Sequence, residues 1–251
     1  MNVLSLFDGM SCGQIALNKL GIKYDNYFAS EIDKHAVKVA KHNYPNMIHI
    51  GDVTKVDPED LPKIDLLIGG SPCQGFSFAG KQLNFEDPRS KLFFEFVRLL
   101  KECKPKYFLL ENNRMRSEYK NVITDLLDIC PIEINSALVS AQNRKRLYWT
   151  NIPYIKQPND KEIYLQSILE KGNAHRKKSK CVRVGGRGSN DRHEWDIATT
   201  DGRRYTPIEC ERLQTVPDNY TDCVSNTQRY KMLGNGWTVD VICHIFKNMT
   251  F

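Results

Sequence analysis

The sequence predicts an α/β fold with a doubly wound, mostly parallel sheet of the Rossmann-like type and a small additional lobe. Three observations lead to this prediction. Short apolar segments alternate with amphipathic segments of helical period up to about residue 130. Glycine or an acidic residue follows several of the apolar segments, as at Gly9, Glu31 and Asp52. After Asn151 the alternation stops, and a polar, basic stretch without a clear period begins.

These patterns predict the elements in chain order. Apolar runs indicate strands over residues 2–7, 24–30, 47–50, 66–68 and 107–110. Helical periodicity indicates helices over 11–20, 33–43, 90–103 and about 119–129, and again over 208–214 and 239–246. Asp33 is expected to cap the second helix. We therefore divide the chain into a main domain over 1–151, a small lobe over 152–203, and a segment over 204–251 that returns to the main domain.

Composition favours a cytoplasmic protein without a membrane or a metal as partner. No apolar run approaches the roughly 20 residues that cross a bilayer, and the start, MNVLSLFDG, lacks the basic region of a signal peptide. The eight cysteines form no C-x-x-C pair, which argues against a zinc site and a disulfide framework. Reduced thiols are the expected state.

The positive charge of the chain is concentrated in one stretch. Residues 171–204 contain ten basic and four acidic residues, an excess equal to the net charge of +6 of the whole chain. A charge cluster is often only a solvated face. Here it coincides with glycines and with Trp195, a combination that favours an anionic polymer as partner.

Three successive predicted strand ends carry residues that could hold a nucleotide-like ligand. Gly9 and Gly13 flank a tight turn that leads into a helix, which allows a ligand to approach the backbone closely. Glu31 follows the second strand and could bind the hydroxyl groups of a ribose, and the third strand again has an acid, Asp52, at its end. Either acid alone could be an exposed charge or a helix cap. Their order favours an adenosine-bearing cofactor, and the absence of G-x-G-x-x-G argues against a dinucleotide.

The stretch GGSPCQGFS, residues 69–77, places a thiol on a stiff turn after a buried strand. Gly69 and Gly70 end the strand, and Pro72 restricts both its own backbone and that of Ser71. Cys73 therefore lies at the carboxyl end of a strand, where open α/β sheets bind ligands. From this stretch alone, a buried structural cysteine is an equally good interpretation.

Together, the motifs resemble the cytosine-C5 DNA methyltransferases, which use S-adenosylmethionine. The resemblance extends over the whole chain in the family's motif order: FDGMSCG, SEID, GDV, GGSPCQGFSFAG, FEDPRSKLFFE, ENN, QNRKR, RYTPIECERLQTVPD and LGNGWTVDVI. Two positions depart from the usual pattern. Asn113 replaces a valine beside the motif glutamate, and Gly236 and Trp237 replace a serine and a small aliphatic residue.

The resemblance implies roles for individual residues. Cys73 would attack C6 of the cytosine, Glu111 would contact N3 and the exocyclic amine, and Arg146, with Arg144 beside it, would hold O2. Contacts to S-adenosylmethionine, whose product is S-adenosylhomocysteine, would come from Phe7, Asp8, Gly9, Gly13, Glu31, Ile32, Asp52, Val53, Pro72, Leu92, Asn235, Thr238 and Val239.

Duplex DNA is the implied partner, and the target cytosine must be flipped out of the helix. The main domain would then be the catalytic and cofactor-binding domain, and the lobe over 152–203 the target-recognition region. Contacts to DNA would come from Gln74, Ser77 and Lys81 in a loop that closes over the base, and from Lys177, Lys178, Arg183, Arg187, Asn190 and Arg192 in the lobe.

Two other functions are compatible with the sequence. A tRNA methyltransferase of the same superfamily would share the catalytic motifs, although the Cys-Phe-Thr tripeptide typical of that branch is absent. A catalytically weak DNA-binding homologue is favoured only by Asn113. A monomer from a prokaryotic or phage source is expected, and the target sequence cannot be read from the chain.

Overall fold

The computed structural model describes residues 1–71, 88–183 and 197–250, and of residues 88–90 it describes the backbone only. The strands are β1 (Asn2–Leu6), β2 (Asn26–Ser30), β3 (Ile48–Gly51), β4 (Leu66–Gly69), β5 (Tyr107–Asn113), β6 (Ile132–Asn135) and β7 (Lys145–Thr150). The helices are α1 (Cys12–Lys19), α2 (Lys34–Asn43), α3 (Pro88–Cys103), α4 (Ser117–Leu127), α5 (Pro207–Leu213), α6 (Asn226–Asn235) and α7 (Val239–Phe246).

The seven strands of this part of the chain form one sheet in the order β3-β2-β1-β4-β5-β7-β6. β1 to β5 pair in parallel, and β7 runs antiparallel to both of its neighbours. The chain winds from β1 to β3 in one direction and from β4 to β5 in the other. The strand order therefore reverses between β1 and β4, and ligands of such sheets bind outside the carboxyl ends of the strands at this point.

Alternating side chains of the central strands build one core on each face of the sheet. Val3 of β1 and Leu66 of β4 lie in the core that contains residues of α1, α2, α5, α6 and α7. Leu4 and Leu67 lie in the opposite core, with residues of α3 and α4. Strands that are buried on both faces consist of nearly continuous apolar residues. This is why these strands could be predicted from the sequence.

In the C-terminal segment, α7 packs against α1. Ile152, Leu165 and Ile168, from the segment assigned to the small lobe, lie in the same core as α7. Thr206 begins α5 with a capping box: its hydroxyl accepts from the amide of Glu209, and the Glu209 side chain accepts from the amide of Thr206. Pro207 at the first helical position adds to this start signal.

Most element predictions agree with the structure to within a few residues, and Asp33 caps α2 as expected by accepting from the amide of His35. Three elements were not predicted: β6, β7 and α6. β5 also continues beyond residue 110 to Asn113, so that Glu111 belongs to the strand. In the described ranges, no helix combines the length and apolar character needed to cross a membrane.

Candidate active site

The turn after β1 is held by a buried carboxylate. Asp8 accepts hydrogen bonds from the hydroxyl groups of Ser5 at 2.6 Å, Tyr27 at 2.7 Å and Ser11. Burial raises the pKa of Asp8 from 3.8 to about 6, although the three hydroxyl donors oppose the shift. The Asp8 side chain is therefore turned into the protein, and it is the backbone of the turn that faces outward at the switch point.

Glu31, at the end of β2, fixes the same turn from outside. One carboxylate oxygen accepts from the amide of Gly9 at 2.8 Å, and the other accepts from the amides of Ile32 at 2.7 Å and Asp33 at 2.8 Å. A carboxylate has about four acceptor positions. Glu31 consequently keeps capacity for about one further hydrogen bond, fewer than the two needed for both hydroxyls of a ribose.

The carboxyl ends of β1 to β3 form an open shelf. Gly9 and Gly51 have positive φ angles of 60° and 78°, and a Cβ added at either would meet no atom within 4 Å. Ile32 is an exposed apolar side chain, with 78% of its surface accessible, between these two glycines. Asp52 accepts from the amide of Thr54 at 3.0 Å, and this hydrogen bond lowers the pKa of Asp52.

Glu111 lies at the centre of a second cluster, on the neighbouring side of the switch point. Its Oε1 is 3.1 Å from Nε of Arg146, and its Oε2 accepts from Nε1 of Trp237 at 3.1 Å. The residue is 8% exposed. A Cβ added at Gly70 would lie only 3.2 Å from Glu111 Oε2. The carboxylate therefore packs directly on the chain that leads from β4 to Cys73.

Arg144 and Arg146 have different environments. Arg144 is buried, and its guanidinium donates to the carbonyl oxygens of Val182, Gly234 and Gly236 at 3.1, 3.2 and 2.9 Å. It also lies 3.1 Å from the sulfur of Cys181. Arg144 thus ties the segment around residue 182 to the end of α6, whereas Arg146 pairs with Glu111.

A hydrogen bond connects the two sides of this cluster. Asn112, next to Glu111 on β5, donates from Nδ2 to both the carbonyl oxygen and the hydroxyl of Ser71 at 3.3 Å. Ser71 is the last described residue before Cys73. The polar pair therefore fixes the described end of the segment after β4 relative to the strand that carries Glu111.

Several predicted cofactor residues contact other parts of the protein. A Cβ at Gly13 would lie 2.2 Å from Cδ1 of Ile68, so this glycine allows α1 to approach the sheet.

Other predicted cofactor residues belong to the C-terminal segment and to the core beneath α3. Thr238 is buried and donates to Gln214 Oε1 at 2.9 Å, and Val239 is a core residue. Val53 is buried in the core beneath α3, and Leu92 packs against the same core. Asn235 is exposed at the end of α6.

The predicted DNA contacts are only partly described. The structure shows Lys177 exposed, with Nζ 4.6 Å from the centroid of the Tyr164 ring. Lys178 is half-buried, and its ammonium donates to the carbonyl oxygens of Ala137 and Ser140 at 2.6 and 3.1 Å. Arg183 is partly exposed. The remaining predicted residues of the nucleophile turn, its loop and the lobe lie outside the described residues: Pro72, Cys73, Gln74, Ser77, Lys81, Arg187, Asn190 and Arg192.

Comparison with known proteins identifies the family. A profile of C-5 cytosine-specific DNA methylases matches residues 1–152 and 117–250. The chain belongs to this family. It is 32% identical, over 98% of its length, to the type II methyltransferase M1.ScrFI of Lactococcus lactis subsp. cremoris, of which it covers 77%. It is 39% identical over 68% of its length to the orphan methyltransferase M.SPRI of Bacillus phage SPR, and 34% identical over 77% to the type II methyltransferase M.NgoBV of Neisseria gonorrhoeae.

The chain spans about half the length of the last two relatives, 43% of M.SPRI and 56% of M.NgoBV. Solved structures agree in fold. The Entamoeba histolytica methyltransferase EhMeth superposes with a TM-score of 0.79 over 99% of this chain and 97% of its own, at 17% identity. A Spodoptera frugiperda DNMT2 variant superposes with a TM-score of 0.75 over 98% of both chains, at 21% identity.

Family membership confirms the resemblance, the Rossmann-like fold class and the predicted enzyme class, a DNA cytosine-C5 methyltransferase. The assignments of single residues stay predictions. Sequence reasoning did not predict the contacts that Cys181 and the pair of Ser71 and Asn112 make in the cluster around Glu111 and Arg144. It noted Trp237 only as a departure from the usual motif. The first asparagine of ENN, Asn112, was the available signal for the Ser71 contact.

The buried Asp8 of this methylase predicts a pH-dependent stability. Because its folded pKa of about 6 lies above the ordinary 3.8, protonation favours the folded state. This contribution to the free energy of unfolding is complete below about pH 3.8 and is lost as the pH rises through about 6. At about 1.4 kcal/mol per unit of pKa, it amounts to about 3 kcal/mol. Asp8→Asn should remove this dependence. Urea unfolding from pH 4 to 7.5 should show the wild type losing stability relative to the variant, and a constant difference would contradict the prediction.

Proposed function

We propose that this chain transfers a methyl group from S-adenosylmethionine to C5 of a flipped cytosine in duplex DNA, through a covalent bond between Cys73 and C6 of the base. The observation that carries the proposal is the position of Glu111. Its carboxylate is held by Arg146 and packs on Gly70, three residues before Cys73. Adjacent strand ends thus supply a nucleophile and a carboxyl group that can contact N3 of the base, where negative charge develops during the attack.

The chemistry explains why these groups must lie together. C5 of cytosine is a poor nucleophile because it belongs to an aromatic ring. Attack of the Cys73 thiolate on C6 breaks the aromaticity and makes C5 react like the carbon of an enamine. The electron pair of the broken C5–C6 double bond is delocalised toward N3 and O2. Glu111, in its carboxylic acid form, would stabilise this charge by donating its proton or a hydrogen bond to N3, and Arg146 would stabilise it at O2. After C5 has gained the methyl group, loss of the C5 proton to a base and departure of the Cys73 thiolate restore the aromatic ring.

We assign different roles to the two arginines of the QNRKR motif. Arg146 lies beside the carboxylate and is the candidate for contact with the base. Arg144 donates to three backbone carbonyls and holds the end of α6 in place. We therefore assign Arg144 a positioning role, in place of the direct contact with O2 expected from the sequence.

The shelf at the ends of β1 to β3 fits S-adenosylmethionine. Gly9 and Gly51 leave room for a ligand against the backbone, Ile32 offers an apolar surface to an adenine ring, and Glu31 keeps an acceptor for one ribose hydroxyl. When bound, the cofactor supplies an electrophilic methyl group and is converted to S-adenosylhomocysteine. The shelf and Glu111 flank the same switch point between β1 and β4.

Recognition of DNA is assigned to the basic stretch, with a preference among its lysines. Lys178 uses its ammonium group within the protein, whereas Lys177 is exposed and available to a phosphate. Lys177→Ala should therefore reduce the salt dependence of DNA binding more than Lys178→Ala. Removal of one lysine that binds a phosphate should lower the slope of log affinity against log salt by about 0.9.

Methyl transfer from labelled S-adenosylmethionine to genomic DNA and to bulk tRNA tests the proposed function. We expect label in duplex DNA only, at cytosine C5, and sequencing that reports methylated cytosines should give the target sequence. Label in tRNA alone would favour the RNA-acting branch. Cofactor binding without transfer to either substrate would favour a catalytically weak DNA-binding homologue.

A further inference from the structure

Trp237 contacts the carboxylate at the centre of the proposed site. Its indole Nε1–H donates to Oε2 of Glu111, while Arg146 occupies Oε1, both at 3.1 Å. Each oxygen therefore has its own partner, a hydrogen-bond donor at Oε2 and an ion-pair partner at Oε1. We propose that Trp237 is a positioning residue for Glu111, whose indole N–H holds the carboxylate in the orientation that receives the flipped base. This inference rests on the proposed function and deepens it.

The packing around the indole leaves little freedom. A Cβ added at Gly70 would lie 2.9 Å from Trp237 Nε1, 3.4 Å from its Cε2 and 3.2 Å from Glu111 Oε2. The hydrogen bond therefore runs across the bare backbone of Gly70, three residues before Cys73 in the chain. Any larger residue at position 70 would push the indole and the carboxylate away from each other or from the strand.

The backbone that carries the indole is fixed by buried donors. The carbonyl oxygen of Gly236 accepts from Arg144 at 2.9 Å and from Gln214 Nε2 at 3.1 Å. The carbonyl of Trp237 itself is approached by the Cys12 sulfur at 3.8 Å. Trp237 thus joins the first turn of α1, the end of β4 and the end of β5, three segments that the proposed reaction must align.

This arrangement has a catalytic consequence. A carboxylate has about four acceptor positions. Trp237 fills one on Oε2, and Arg146 is paired with Oε1 through its charge. Without the indole donor, Glu111 is free to rotate toward Arg146 and form the two-point pairing that guanidinium groups favour. The carboxylate would then be misaligned with N3, and the fixed orientation on which charge stabilisation depends would be lost.

The test replaces Trp237 by phenylalanine, which keeps an aromatic ring and removes the donor. We expect kcat for DNA methylation to fall about 10- to 100-fold, the range for a hydrogen bond to a charged group, with cofactor affinity changed by less than about twofold. In a Glu111→Gln background, measured in single-turnover reactions with excess enzyme, Trp237→Phe should have little further effect because both act through the same carboxylate.

Trp149→Phe is a matched control. The Trp149 indole also donates at 3.1 Å, to the hydroxyl of Thr124, but in the core beneath α4. This variant should leave kcat unchanged. An unchanged kcat in Trp237→Phe would overturn the proposal, and so would a loss of the same factor with and without Glu111→Gln, or a loss explained wholly by weaker cofactor binding.

A second measurement separates this inference from the proposed function. The chain has three tryptophans, and their indole N–H signals in a 15N-labelled sample can be assigned with the Phe variants. Glu111→Gln should shift the Trp237 signal and leave the Trp149 signal in place. An unmoved Trp237 signal would show that the hydrogen bond is not made, even if the enzyme methylates DNA. A shifted signal in a protein that does not methylate DNA would instead contradict the proposed function alone.

Discussion

Cys73→Ser is expected to abolish covalent capture of a DNA duplex that contains 5-fluorocytosine at the target position. In the proposed reaction the Cys73 adduct is released only when C5 loses its proton, and fluorine cannot leave as a cation. The methylated adduct of the wild type should therefore accumulate and survive denaturing electrophoresis, but only with S-adenosylmethionine present. A serine hydroxyl is far less ionised than a thiol at neutral pH, so the variant should give no band.

Cys130→Ser is the matched control, because Cys130 is an exposed free thiol at the end of the loop that follows α4. It should keep the full band. DNA binding should also persist in Cys73→Ser, since phosphate contacts do not involve the sulfur. A band that remains in Cys73→Ser, or that maps to a peptide without residue 73, would contradict the mechanism. The duplex is designed from the target sequence that genomic methylation reveals.

Local patterns were sufficient to predict the central part of the fold. β1, β2 and β4 are buried on both faces, so their apolar runs stand out from the polar turns around them. Asp33 was recognisable as a cap because capping depends on residues two and three positions away. β6 and β7 were missed because both lie on the antiparallel side of the sheet and polar residues interrupt their apolar runs, as at the half-buried Glu133 of β6 and the exposed Lys145 of β7.

The contacts of the candidate site could not be predicted in the same way. The ion-pair partner and the hydrogen-bond donor of Glu111 come from residues 35 and 126 positions further along the chain. The motif QNRKR gives no sign that Arg144 and Arg146 have different partners. In the structure, Arg144 donates to backbone carbonyl oxygens, whereas Arg146 pairs with the carboxylate of Glu111. Charge counting likewise treated Lys177 and Lys178 alike, although one is exposed and the other donates to buried carbonyls.

The C-terminal segment contains a buried ion pair. Glu211 is fully buried, and its Oε1 is 3.0 Å from Nη2 of Arg229. The same carboxylate accepts from the amides of Asn219 at 2.7 Å and Thr221 at 2.9 Å, and from the Thr221 hydroxyl at 2.5 Å. Four donors thus converge on one side chain, and removing it leaves a buried guanidinium and two buried or half-buried amides without their acceptor.

We therefore expect Glu211→Ala to lower the free energy of unfolding by about 3–5 kcal/mol, the usual cost of leaving one charge of a buried pair alone. Asp218→Asn is the matched control. It breaks the pair of Asp218 with Arg212 on α5, which is 2.6 Å long but exposed on both sides, and should cost at most about 1 kcal/mol. Glu211→Ala combined with Arg229→Met removes both buried charges and should recover part of the loss. Urea unfolding near pH 7 measures all three variants. A loss in Glu211→Ala no larger than that in Asp218→Asn would show that water reaches Arg229 when its partner is gone.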